Sequence, residues 1–385
     1  MMFVALLLTS LITSCQRKPL YLVPHGNVSI ATAEYDLQLN VLWGADWQRE
    51  WQYPWIEDKY GPLGYTHPTG VHAIAYQLNN DMERQRWYDD RHLSGTGGRI
   101  QLGTNEHYDM LLYNDDTEWI LFPDREEHQT NPNSDFETFN ATTRTSSRTQ
   151  YTRSHTGYNQ PDQLFGVLLD KLYITDDPEA YTIERNEDGS VNYVYKMEAT
   201  LHPYTFIYLY QVILRNNRTI EGDIIINSAK GLTANGLSSG VDLFTHRTHH
   251  STVSLTQDAV CPLVKDYNVT LPDGTDTVAD ILAARILTWG MPDTAPLKVL
   301  SRSENIELAD STYVGIGLNL HNGYTYVIQR DVTQQMREHP AGGVITLIVD
   351  VTQEIPDSII NHKGGGGFQA TVNQWDNETR VDITI

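Results

Sequence analysis

Apolar and polar positions alternate with a period of two along much of this chain. Leu37, Leu39, Val41 and Trp43 alternate with Gln38, Asn40 and Leu42. His72, Ile74, Tyr76 and Leu78 alternate with Ala73, Ala75 and Gln77. Successive side chains of a strand point to opposite faces, so this spacing predicts strands. Tyr108 to Tyr113 and Trp119 to Phe122 read as short strands around a turn at Asn114-Asp115-Asp116. Val191 to Ala199 alternates again. Tyr204 to Leu214, YTFIYLYQVIL, is apolar at nearly every position and predicts a central strand buried on both faces.

The second half continues in this style. Strands are expected at 220–226, 241–245, 251–255, 297–300, 314–320, 324–329, 344–351, 368–372 and 381–385. Val278 to Leu287 fits a helix or a buried strand equally well. Ala229 to Asn235 reads as a polar loop, as does most of 124–162, apart from an edge strand within Phe136 to Arg144. Helix signals are few. Asp331-Val332-Thr333-Gln334 opens like a helix N-terminus, and the segment stops before Pro340. Many strands punctuated by turns predict an all-β fold of β-sandwiches. A break at Thr200 to Pro203 divides 28–200 from 201–385 as two domains.

The first fifteen residues change the picture. Phe3 to Thr13 is uncharged and apolar, shorter than the about 20 residues of a spanning helix but the length of a secretory signal core. It ends in Ile12-Thr13-Ser14-Cys15, which resembles the lipobox of bacterial lipoproteins. On that reading 1–14 is a signal peptide and Cys15 carries lipid. Residues 15–27 form a tether, whose twelve residues after the cysteine reach roughly 40 Å when extended. No Lys or Arg precedes the apolar run.

Composition narrows the partners. The 385 residues carry a formal charge of −22, which repels nucleic acid. There are two cysteines, so with Cys15 lipidated Cys261 stands alone, in the apolar setting Ala259-Val260-Cys261-Pro262-Leu263. A buried, inert thiol is expected there.

The motifs that could carry chemistry favour structural readings. Gly236-Leu237-Ser238-Ser239-Gly240 matches G-x-S-x-G, but a nucleophile elbow needs a strand before it and a helix after it. A glycine-rich turn is expected. His246, His249 and His250 lack carboxylate or Cys neighbours at ligand spacing, so an exposed loop is favoured over a metal site. Gly364 to Gly367 is followed by a strand pattern and not by the Lys-Ser/Thr and helix of a phosphate loop, and reads as a joint. The scattered Asp and Glu residues lack calcium-loop spacing. No catalytic residue, metal or cofactor is expected. Trp51, Tyr53, Trp55 and Tyr60 are the candidate ligand-binding residues, either as stacking platforms for sugar rings or as core filling under a long loop.

These features occur in a specific order along the chain. Cys15 is followed by Arg17-Lys18-Pro19-Leu20 and His25-Gly26-Asn27-Val28. Tyr108 to Asn114, Pro161 to Phe165, Leu201-His202-Pro203 and Gly236 to Gly240 come next. Asp331-Val332-Thr333, Gly366-Gly367-Phe368, Val372, Trp375 and Asp376 close the series. In this the chain resembles fimbrillin-like lipoproteins of Bacteroidales, and among them a family built on a domain of unknown function. The resemblance implies two tandem transthyretin-like antiparallel β-sandwich domains after a lipoprotein signal peptide. It implies an outer-membrane, surface-exposed location through a lipid anchor, and other fimbrial subunits as partners. Assembly would be by β-strand addition. In polymerising relatives an arginine-specific protease removes an N-terminal segment. Here Arg17 adjoins Cys15 and Arg49 lies in a tryptophan-rich stretch. Neither suits such processing, which favours an anchor, a tip or a non-fimbrial surface protein over a stalk subunit. A glycan-binding adhesin using Trp51 to Tyr65 is the alternative.

Overall fold

A computed structural model describes residues 26–35, 50–52, 55–60, 62–114, 116–145, 157–257, 261–292, 311–362, 370–375 and 378–383. The fold is all-β, with several antiparallel sheets and short helices. The chain divides into two compact units. One comprises 1–34, 70–112 and 168–199; the other comprises 35–69, 113–167 and 200–385.

The first unit centres on an eight-stranded sheet. Its main path runs Arg84–Ser94, Gly70–Leu78, Glu106–Asn114, Phe165–Ile174, Val191–Pro203, Gly26–Tyr35 and Gly98–Leu102, with Thr182–Arg185 added on Val191–Pro203. The alternation at 72–78 gives a strand whose Ile74, Tyr76 and Leu78 join Ile100, Tyr108, Met110 and Leu112 in the core. One acid is buried with them. Asp109 forms an ion pair with Arg84, Nε to Oδ2 2.8 Å, and accepts from the Lys171 amide at 2.8 Å, where Lys171 has φ +52. The edge strand Arg84–Ser94, RQRWYDDRHLS, is too polar to show a hydrophobic period, and its charges suit an exposed sheet edge.

In the second unit one sheet path folds into two facing layers. Its order is Thr325–Asp331, Tyr313–Leu320, Ile226–Ser238, Cys261–Thr270, Asp276–Thr288, Phe206–Arg215 and Gly343–Asp350. The strand Cys261–Thr270 makes the corner. Cys261 and Pro262 pair with Ala229 and Ser228, whereas Leu263 onward pairs with Leu282 and its neighbours. Between the layers Tyr208, Tyr210, Val212, Leu282, Ile286, Ile345 and Leu347 meet Leu232, Ala234, Leu255, Val314, Ile316, Leu318 and Ile328. This is a β-sandwich core.

Several expectations are corrected here. Ala229 to Asn235 is not a loop but the middle of a thirteen-residue strand, Ile226–Ser238. Its alanines and glycines carry little apolar signal, yet they suit a strand flanked closely on both sides. The strand expected at 220–226 is instead a tight turn. Gly222 sits at φ +91, the Thr219 amide donates to Asp223 O, and Ile220 is fully exposed. Pro123–Thr130, within the tract read as loop, is a helix with Pro at its start and Asp124 and Glu126 in its first turn. The ambiguous 278–287 segment is a strand, Asp276–Thr288. The expected Leu37–Trp43 and Leu297–Leu300 strands lie outside the described residues, as do Cys15 and the Gly364–Gly367 joint.

Candidate functional site

Phe206–Arg215 is buried along nearly its whole length, as its sequence predicts. Even-numbered residues face the sandwich core. Ile207, Leu209, Gln211 and Ile213 point to the other face, with Ile281, Ala283 and Arg285 beside them by strand register. That outer face would meet water in a two-layer sandwich. Here residues 50–52, 55–60 and 62–66 lie across it as a strap.

Side-chain hydrogen bonds fix the strap at three places. Gln211 Nε2 donates to Glu50 O at 2.9 Å. Gln52 grips Thr270 by both backbone groups, donating to its carbonyl at 2.7 Å and accepting from its amide at 2.6 Å. Tyr65 Oη donates to Thr205 O at 2.7 Å. The short helix Glu57–Tyr60 packs against Asp276–Thr288 between these points. Tyr65 also meets Phe165 edge-on, with ring centroids 5.3 Å apart.

The aromatic candidates fall on this strap. Trp51 is 7% exposed and meets the half-buried Trp55 edge-on at 5.3 Å. Tyr53 and the side chain of Tyr60 lie outside the described residues. Trp51 therefore contributes buried contact area and not an open platform.

Sequence reasoning missed two polar residues under the strap. Arg285 stands opposite Leu209 on the buried outer face, and its Nε and Nη2 are buried without a hydrogen-bond partner. Burial pulls its basicity down to about 10, opposed by the neighbouring Tyr65 phenol. Burial likewise pushes the Tyr65 phenol well above its usual range. No carboxylate among the described residues neutralises Arg285. A buried charge left without a partner costs about 3–5 kcal/mol. Gln211 is 1% exposed, and its Nε2 serves Glu50 O and Thr346 Oγ1 while its Oε1 is buried and unbonded. Arg285 and Gln211 are diagonal neighbours across the strand pair, with backbones about 7–8 Å apart. Nothing in the local sequence ADILAARILTW sets Arg285 apart; only strand register shows which face it occupies.

The other singled-out residues are structural. Ser238 is fully buried at the end of its strand, and its hydroxyl lies 2.8 Å from Gly240 O and 3.0 Å from His249 O. The next element is the strand Gly240–Asp242 and not a helix. His249 is half-buried; its Nε2 lies 2.8 Å from Asn140 Oδ1 and its Nδ1 3.4 Å from Ser239 Oγ. With Nε2 as donor and Nδ1 as acceptor, both ring nitrogens are used. His246 Nε2 pairs with the Tyr204 hydroxyl at 3.2 Å. Burial depresses the basicity of both histidines. Cys261 is 4% exposed, and burial raises its thiol to about 12, so it is inert. No described helix is long and apolar enough to cross a membrane.

The sequence order of motifs and the all-β sandwich architecture define a class of β-sandwich domain proteins. The chain belongs to DUF5119, a domain of unknown function, whose family profile matches residues 60–255. No curated protein matches it. Among solved structures it is similar to a candidate adhesin from Bacteroides ovatus, with 16% identity over 89% of this chain and 98% of that one and a TM-score of 0.44. A candidate adhesin from Bacteroides thetaiotaomicron is 11% identical over 86% of this chain and 93% of that one, with a TM-score of 0.40. The fimbrial anchor protein Mfa2 from Porphyromonas gingivalis is 10% identical over 76% of this chain and 87% of that one, with a TM-score of 0.36.

Proposed function

We propose that this chain is a non-enzymatic cell-surface lipoprotein, lipid-anchored through Cys15 in the outer membrane, that serves as a fimbrial anchor, tip or subunit and receives a partner strand at a sheet edge. The observation that supports strand addition most directly is the end of the second unit's sheet. Gly343–Asp350 is the terminal strand of its path, paired in parallel with Phe206–Arg215 on one side. On its other side, side chains meet the backbone: the Thr346 amide donates to Gln335 Oε1 at 2.8 Å, Gln335 Nε2 donates to Thr346 O at 3.0 Å, and the Asp350 amide donates to Glu354 Oε1 at 3.0 Å. Side chains thus occupy places where a neighbouring strand would bond. Backbone groups on such an edge pair readily with an added strand. The solved adhesins and the fimbrial anchor to which the chain is similar accord with a surface role.

The test begins with the anchor. Mature protein from native cells should carry lipid mass on Cys15 and partition with outer membranes, and Cys15→Ala should release it. Pull-down from intact cells should then bring fimbrial polymer with it. A native protein found in the soluble periplasm without lipid sinks the anchor reading, and a pull-down free of fimbrial chains sinks the assembly role.

A further inference from the structure

We propose that the cavity between Thr66, Asn114, Asp116, Asp162 and Gln163 binds one ring of a neutral saccharide, whose hydroxyls donate to the Asp116 and Asp162 carboxylates and accept from Gln163 Nε2. The site is separate from the aromatic candidates on the strap, and it stands whether or not the chain takes part in fimbriae.

Three observations carry it. The first is room. The cavity has a volume of about 180 Å³ and is lined by Thr66, Pro68, Asn114, Asp116, Asp162 and Gln163, all of them in the second unit. That lies below the roughly 300 Å³ at which pockets for drug-sized ligands begin, and it suits a single sugar ring. Pro68 and Asn114 are buried while Thr66 and Asp116 are exposed, so the cavity opens to solvent. The second is a set of polar groups fixed in advance. Asp162 Oδ2 accepts from the Glu118 amide at 2.5 Å and the Trp119 amide at 2.6 Å. Asp116 Oδ2 accepts from the Thr69 amide at 2.8 Å, and its Oδ1 accepts from Asn114 Nδ2 at 2.7 Å. Both carboxylates are thus held in place before a ligand arrives. Gln163 Oε1 accepts from the Thr66 amide at 2.7 Å, which fixes the orientation of the side-chain amide and leaves Nε2 to donate elsewhere. Among the described residues no bond reaches Asp162 Oδ1 or Gln163 Nε2, and both residues keep part of their surface at solvent. The third is the mixture of acceptors and donor. Two carboxylates repel an anion. The Gln163 amide donor opposes a cation, and among the described residues no group of three His, Cys, Asp or Glu could hold a metal ion. A hydroxyl donates and accepts at once, so neighbouring hydroxyls of one ring satisfy both kinds of group. The apolar face of the ring has Pro68 in the cavity wall and Trp119, 38% exposed, tied beside it through Asp162.

The experiment is saturation-transfer NMR on the full chain with glucose, galactose, mannose, fucose and N-acetylglucosamine. At least one of these should bind with a millimolar Kd, and neither calcium nor butylammonium should displace it. Asp162→Asn keeps an oxygen for the Glu118 and Trp119 amides but turns the open acceptor into a donor, and it should weaken that sugar at least about tenfold. Gln163→Glu keeps an oxygen for the Thr66 amide but removes the donor, and it should weaken the sugar to a similar extent. No signal from any of the five sugars overturns the proposal. Displacement by calcium or butylammonium overturns the saccharide assignment, and unchanged affinity in either variant overturns the site. Should Asp162→Asn fail to fold, the affinity of Gln163→Glu decides alone.

Discussion

Gln335 closes on Thr346 by both of its backbone groups, the amide at 2.8 Å and the carbonyl at 3.0 Å. Gln52 does the same to Thr270 at the far end of another strand. In each case a glutamine amide, which carries a donor and an acceptor side by side, replaces a neighbouring strand at one residue.

Removing that replacement should open the edge. Gln335→Ala leaves one amide and one carbonyl of Thr346 to solvent and should cost about 1–2 kcal/mol in total. Hydrogen exchange at Thr346 should quicken while exchange at Tyr210 and Val212 stays protected. Sedimentation should also show more self-association, because an open edge is a pairing surface.

Asp280 holds a knot at the other end of the sandwich. It is 2% exposed and accepts from Asn217 Nδ2 at 2.8 Å, the Asp266 amide at 2.9 Å and both terminal nitrogens of Arg218. Burial disfavours its charge, but the Arg218, Asp266 and Asn217 hydrogen bonds outweigh this and hold the carboxyl below its usual value. Its contribution is therefore complete above the unfolded value of about 3.9 and is lost as pH falls through the lower folded value. Asp280→Ala should cost about 3–5 kcal/mol by denaturant titration at pH 7, since it strands a partly buried Arg218 and a buried Asn217 amide.

The histidines of the second unit predict a loss of stability on acidification that begins at a higher pH than the one Asp280 brings. Burial lowers the basicity of His128, His246 and His249. Each binds a proton more readily unfolded than folded. Stability should be full above the unfolded value of about 6.5 and should decline as pH falls from there towards the depressed folded values. Thermal midpoints between pH 7.5 and about 5 should show this slope, and His249→Gln should flatten it.

Gly240 tests the small sheet. A Cβ added there would lie 2.2 Å from Ala141 O and 2.9 Å from the His249 ring. The contact with backbone cannot relax cheaply, because Gly240 to Asp242 pair with Asn140 to Thr142. Gly240→Ala should destabilise by about 1–3 kcal/mol, and the His249 ring resonances should shift with it.

What the sequence made legible was whatever a single strand expresses by itself. The apolar run at 204–214 announced a strand with neighbours on both sides, and the structure gives it two strand partners and two covered faces. The strands expected at 314–320 and 324–329 form the pair 313–320 with 325–331, and those expected at 368–372 and 381–385 overlap the pair 370–375 with 378–383. Polar edge strands such as Arg84–Ser94 were not legible, because an edge needs charge more than period. The glycine- and alanine-rich Ile226–Ser238 strand was hidden for the opposite reason: its neighbours, not its own side chains, make it a strand. The site residues were illegible because their meaning is set by register across long separations. Nothing near Gln211 in sequence indicates that Glu50 and Thr346 will meet it.

The strap has a consequence for the order in which this protein is made. Its contacts join residues 140, 161 and 218 positions apart, through Tyr65 to Thr205, Glu50 to Gln211 and Gln52 to Thr270. Residues 50–66 leave the ribosome long before the strands that they cover exist. The strap must then wait, unpaired, through the synthesis of the first unit's 70–112 and 168–199 segments, and such distant closures are slow. The C-terminal half made alone would present Ile207, Leu209, Ile213 and Ile281 to water, so the beginning of the chain acts as a built-in chaperone for its end.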